Sequence, residues 1–148
     1  MIPPFDENGN LPPGIHWAEW SEFEERYGIT PKRVRMIQGL LLAMEQLKAA
    51  GCCAIYINGS FVTSEPNPND FDACWDREEV DIDYLRTHAP TLLNFYDRDM
   101  QKAKYRGDIL PSDQLIGDEG TMSIEFFQRD RGENSKGIVA IDLRRWEP

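Results

Sequence analysis

Two short groups of residues have the types and spacing to do chemistry. Gly59-Ser60 closes one apolar run, and Asp70 and Asp72 open the next. Gly59 has no side chain, so a phosphate can approach its backbone closely. Ser60, starting a helical turn, points backbone N–H groups and a hydroxyl at the same spot, where a helix N-terminus favours an anion. On the following strand, residues two apart share a face. Asp70 and Asp72 are therefore expected side by side, with Phe71, Ala73 and Trp75 turned into the core. Two carboxylates that close repel each other unless a proton or a cation lies between them. Mg²⁺ takes oxygen ligands and bridges one or two carboxylates to nucleotide phosphates. Phosphate donors on one strand end and metal-binding oxygens on the next make a nucleoside triphosphate site. A plainer reading is that Asn69-Asp70, after two prolines, is good turn chemistry. That accounts for Asp70 but not for Asp72, a charge within an otherwise apolar strand start.

The elements that must position these residues are legible from periodicity and punctuation. Residues 1–15 hold Pro3, Pro4, Pro12 and Pro13 and read as an extended arm lying over a domain that spans 16–148. A short acidic helix is expected over 17–27, ended by Gly28. Thr30 offers an N-cap and Pro31 the first helical position of the next helix. Its stripe is Val34, Ile37, Leu41, Met44 and Leu47, with Gly51 as the C-cap. Residues 53–57 and 71–75 read as strands, with a short helix over 61–64 and a loop at 65–69 between them. Helices are expected over 81–94, with Asp81 as cap, and over 97–105. Strands are expected at 122–128 and 138–143, joined by a polar connection at 129–137. The sum is an α/β mixture of the α+β kind, its sheet assembled from separated strands. Tyr56, Trp75 and the Phe126-Phe127 pair read as core.

With 148 residues, 41% hydrophobic and 28% charged, the composition is that of an ordinary folded domain. No apolar run approaches the ~18 residues of a membrane span. No signal peptide is apparent, so a cytoplasmic address is the default expectation. The three cysteines form no Cys-x-x-Cys pair, and the only histidines are His16 and His88, which argues against a zinc site. The net charge of −10 opposes nonspecific binding to nucleic acid. Two basic clusters, Lys32/Arg33/Arg35 and Lys102/Lys104/Arg106, read first as solvated helix faces.

The segment from the 53–57 strand to Asp72 resembles the signature of the DNA polymerase β-type nucleotidyltransferase superfamily: apolar strand, Gly-Ser, a loop of about ten residues, then Asp-x-Asp. It is most similar to the small bacterial members, including those of toxin–antitoxin pairs. The flanks resemble an uncharacterised bacterial family of such minimal domains. They comprise the 35–51 helix, the Gly-Ser-Phe-Val-Thr turn, the Phe-Phe-Gln-Arg-Asp run at 126–130 and the Lys-Gly-Ile-Val run at 136–139. The loop departs from many relatives, which carry a further glycine and serine where this chain has Pro66, Pro68 and Asn69.

The resemblance implies a single-domain nucleotidyltransferase fold, a mixed β-sheet flanked by helices. It implies Gly59 and Ser60 as nucleotide-binding residues, and Asp70 and Asp72 as ligands of Mg²⁺ or Mn²⁺. It also implies a third carboxylate on a neighbouring strand, as metal ligand or base. Glu125 is the first choice and Asp142 the alternative, since each is a carboxylate in an expected apolar strand; Asp81 and Asp83 read instead as a helix start. The implied activity is transfer of a nucleoside monophosphate from a nucleoside triphosphate to a hydroxyl of a protein or RNA acceptor, RNA being disfavoured by net charge. The alternative is a catalytically silent antitoxin or regulatory subunit covering a partner protein.

Overall fold

A computed structural model describes residues 1–117, 119–129, 132 and 134–148. After the N-terminal arm come β1 (Gly14–Trp17), α1 (Trp20–Tyr27) and α2 (Pro31–Ala49). Next are β2 (Ala54–Asn58), one 3₁₀ turn (Ser60–Val62) and β3 (Phe71–Trp75). Helices α3 (Ile82–His88), α4 (Pro90–Leu93) and α5 (Arg98–Tyr105) then lead into β4 (Gly107–Pro111). A hairpin of β5 (Leu115–Ile116) and β6 (Thr121–Met122) precedes one helical turn, α6 (Ser123–Phe126), and the final strand β7 (Gly137–Asp142).

The main sheet has the order β1-β7-β2-β3-β4. Strand β2 is antiparallel to both neighbours, whereas β1 runs parallel to β7 and β4 runs parallel to β3. Parallel neighbours need a crossover of a dozen or more residues, and α3 to α5 supply it between β3 and β4. The result is a single-domain α+β fold. One sheet face, carrying Ile55, Ile57, Phe71, Trp75 and Val139, joins the main core with α1 and α2. The other face carries Tyr56, Cys74, Ile138 and Ala140 and is covered locally by Phe127 and Ile124. Among the described residues no helix is long and apolar enough to cross a membrane.

Helix α2 begins as its sequence dictates: the Thr30 hydroxyl accepts from the Arg33 N–H at 3.1 Å, and Pro31 stands at the first helical position. It ends at Gly51, whose φ of 93° suits a residue without a side chain. Its buried face is Met36, Ile37, Leu40, Ala43, Met44 and Leu47. Val34 is exposed, so the stripe is rotated from the expected one.

Several expectations need correction. The arm ends at Gly14, because residues 14–17 pair with β7 as an edge strand, and the first helix starts only at Trp20. The arm is pinned down by buried Ile2 and Leu11. Pro90 has no N–H to continue a helix, so the 81–94 segment breaks into α3 and α4. Residues 107–111, not anticipated as a strand, form β4. The 122–128 segment is not a strand: only Met122 pairs, and Ser123 then starts a helical turn with the Phe127 N–H on its carbonyl at 2.9 Å. Ile124 and Phe127 face the sheet at helical spacing, and Glu125 and Phe126 face solvent. Asp130 of the expected 126–130 run, together with 131 and 133 of the 129–137 connection, lies outside the described residues.

Candidate functional site

The site grows from the end of β2. Gly59 has φ 89°, a conformation that favours glycine, and a Cβ there would lie 3.0 Å from Asp72 Oδ2. The chain thus turns directly against that carboxylate, and Ser60 stands exposed at the start of the 3₁₀ turn. The turn is held from beneath by Arg33. Its Nη1 donates to the Phe61 carbonyl at 2.7 Å, and its Nη2 donates to the carbonyls of Thr63 and Glu65. Its guanidinium also lies 4.9 Å from the centre of the Phe61 ring. Arg33 is 2% exposed, so of the Lys32/Arg33/Arg35 cluster only Arg35 is exposed and Lys32 partly so, while the central member is a buried clamp.

Across the sheet, three polar side chains fall on one row. Asn58 of β2 pairs with Asp72 of β3, and Asp72 pairs with Asp108 of β4. Register partners project from the same face, so Asp108 is the carboxylate that the fold sets beside Asp72. Burial, followed by the negative charges of Asp70 and Asp108, pushes the Asp72 carboxyl up to about 6. Lys136 and Arg98 oppose that rise. Asn58 is 4% exposed, and its Oδ1 has no hydrogen-bond partner. A buried oxygen in that state has a lone pair free to accept from a water or to coordinate a cation.

Two cations on α5 reach the outer carboxylates. Arg98 donates to Asp108 through Nη2 at 2.9 Å and Nε at 3.3 Å, and Lys102 Nζ lies 3.1 Å from Asp70 Oδ2. The helix is fixed by its buried side. Gln101 donates to the Ile109 carbonyl at 2.8 Å and accepts from the Ile109 N–H at 2.8 Å, satisfying the outer edge of β4. At the far end, Tyr105 donates to Gln46 at 2.6 Å. Gly39 of α2 lets the helices close, since a Cβ there would overlap the Tyr105 carbonyl oxygen.

Neither candidate third carboxylate reaches this row. Glu125 is exposed on α6, because Ser-Ile-Glu-Phe forms a helical turn and not a strand. Asp142 pairs with Ala54, at the opposite end of β2 from Asn58, and its carboxylate bonds Arg144. Four residues of strand separate the two rows by about 13 Å. Asp81, as expected, caps α3, accepting from the Tyr84 N–H at 3.1 Å. Asp108 was the residue to find; its signal was a charge in the short apolar run Gly-Asp-Ile-Leu.

A cleft of about 330 Å³ opens on this row, and its lining includes Asp72, Arg98 and Asp108 together with Phe95, Ile116 and Phe126. Phe126 is half exposed there and is not core, whereas Tyr56, Trp75 and Phe127 are buried. Among the described residues no group of three or more carboxylates, imidazoles or thiols is assembled to hold a metal ion. Lys102 and Arg98 hold the outer carboxylates instead. The donor set still suits a hard cation: carboxylate oxygens of Asp70 and Asp72, with the unpartnered Asn58 oxygen in the same row as Asp72.

Fold and site together define a small α+β protein with a carboxylate row at one end of a mixed sheet. The chain belongs to a family of unknown function, DUF6932, whose model matches residues 3–142. Neither the curated proteins nor the solved structures contain a match to it.

Proposed function

We propose that this protein is a nucleotidyltransferase-like enzyme. It moves a nucleoside monophosphate from a nucleoside triphosphate to a hydroxyl of a protein or RNA acceptor, using Mg²⁺ or Mn²⁺. The observation that supports this best is the alignment of Asp72 with Asp108 on adjacent parallel strands, with Gly59 against the Asp72 carboxylate. Asp70 and Asp72 would hold the metal, which would supply stabilisation of the negative charge that develops on the attacking and leaving oxygens. Gly59 and Ser60 face the phosphates, and the apolar side chains of the cleft take the nucleoside. The acceptor oxygen bonds to the α-phosphorus while the bond to the bridging oxygen breaks. Pyrophosphate departs with that electron pair, and Asp108 accepts the hydroxyl proton. A protein acceptor suits the net charge of −10 better than a polynucleotide.

Incubation with each of the four α-labelled triphosphates, Mg²⁺ and cell extract should label an acceptor, and Asp72→Asn should abolish that label. Absence of label with all four refutes the enzyme. One observation favours a second reading, a silent antitoxin or regulatory subunit: Lys102 and Arg98 already neutralise Asp70 and Asp108. An acidic chain of that kind would cover a basic partner protein. No label, together with no Mg²⁺-dependent rise in melting temperature, selects it.

A further inference from the structure

Arg98 and Lys102 are four residues apart on α5 and so share a face. Each ends on a different carboxylate of the site, Asp108 and Asp70. Both side chains are partly or largely solvent-exposed, at 66% and 38%. Their backbone, in contrast, is fixed by the buried Gln101 side chain and by Tyr105. The anchors are rigid and the charged tips can turn. A divalent cation held by Asp70 and Asp72 must displace Lys102 from the Asp70 carboxylate, and Arg98 must leave Asp108 before that carboxylate can accept a proton. The displaced guanidinium and ammonium then stand beside a metal-bound polyphosphate, the anion that their geometry and charge suit.

We infer that Arg98 and Lys102 exchange partners. They hold Asp108 and Asp70 in the metal-free protein and grip the β- and γ-phosphates of the nucleotide in the loaded one. This rests on the proposed triphosphate site and assigns it two further binding residues. The exchange has a signature that a purely structural ion pair lacks. Removing either cation should strengthen binding of the bare metal, because Lys102 no longer competes for Asp70 and Arg98 no longer adds a positive charge beside the site, and weaken binding of metal–polyphosphate.

The test measures Mn²⁺ affinity by electron paramagnetic resonance. It also measures affinity for inorganic tripolyphosphate with Mg²⁺ by calorimetry, a probe that needs no knowledge of the nucleobase. Arg98→Ala and Lys102→Ala are compared with the parent, and with Lys104→Ala as a control on the same helix. For each site variant, Mn²⁺ should bind about threefold or more tighter and tripolyphosphate about tenfold weaker. Arg98→Lys should recover most of the tripolyphosphate affinity. The inference is overturned if both affinities fall together, or if neither moves beyond the Lys104→Ala control while the parent binds both probes. A parent that binds neither probe removes the underlying triphosphate site, and the inference with it. Thermal melting of every variant checks that the fold is intact.

Discussion

The clearest consequence of the site's electrostatics is that Asp72→Asn should make the metal-free protein more stable. Asp72 is partly buried between Asp70 and Asp108, and its carboxyl is pushed up to about 6. An ordinary aspartate titrates near 4. Because the folded-state value is the higher one, the folded protein binds the proton more tightly than the unfolded chain does. The penalty is therefore absent below about pH 4, grows between about pH 4 and 6, and is complete above. Each tenfold of proton affinity is worth about 1.4 kcal/mol, so the ceiling is about 3 kcal/mol. Partial solvent exposure of Asp72 brings the expectation to about 1–3 kcal/mol, roughly 2–4 °C per kcal/mol for a chain of this size. Urea unfolding followed by tryptophan fluorescence, in a chelator at pH 4, 5, 6 and 7.5, reads this directly. The variant's advantage should be near zero at pH 4 and full at pH 7.5. Saturating Mg²⁺ should reverse the order, because only the parent gains from binding. A variant less stable than the parent at pH 7.5 in chelator, or an advantage that does not change with pH, would refute the electrostatic account.

Three further outcomes follow from named contacts. Asp108→Asn should abolish acceptor labelling, while Glu125→Gln and Asp142→Asn leave it within about twofold; the labelling assay with all three variants decides which carboxylate completes the row. Arg33→Met should cost about 2–4 kcal/mol in urea unfolding, since it strips the carbonyls of Phe61, Thr63 and Glu65 of their donor, and Arg33→Lys should recover part of that. Gln101→Leu should cost about 2–4 kcal/mol, and faster hydrogen exchange at the Ile109 amide would show that the β4 edge has been freed.

What the sequence made legible was local. Gly59-Ser60 and Asp70-Phe71-Asp72 lie within one segment, so strand period and turn chemistry sufficed to place them on adjoining strand ends. Asp108 could not be read that way. It reaches Asp72 through a parallel pairing whose crossover spans three helices, and no spacing rule carries register across such a connection. Glu125 misled for a different reason: Ser-Ile-Glu-Phe-Phe satisfies a period of two and a period of 3.6 equally well in so short a run. The outcome was settled by where Ser123 binds, its hydroxyl donating to the Pro111 carbonyl at 2.6 Å and its carbonyl accepting from Phe127. Arg33 looked like one charge of a basic face, because its burial depends on the curl of a loop some 30 residues later.

Fully buried polar side chains are uncommon, because each must be satisfied or else costs stability. Here several of them surround the site. Arg33 lies under the Ser60 turn, Gln101 ties α5 to the strand of Asp108, and Asn58 is the register partner of Asp72. Thr91 accepts from the same Gln101 through its carbonyl, and Ser123 fixes α6 to the end of β4. An apolar core could have held these helices and turns together without such residues, but with less definite positions. Hydrogen bonds of fixed direction place Gly59, Ser60 and Asp108 relative to Asp72, and preorganisation of that kind matters to a charged site. The two unpartnered atoms of this set, Arg33 Nε and Asn58 Oδ1, differ in the same sense. The first lies in a clamp whose other nitrogens are all used. The second lies in the carboxylate row itself, where a bound cation would give it a partner.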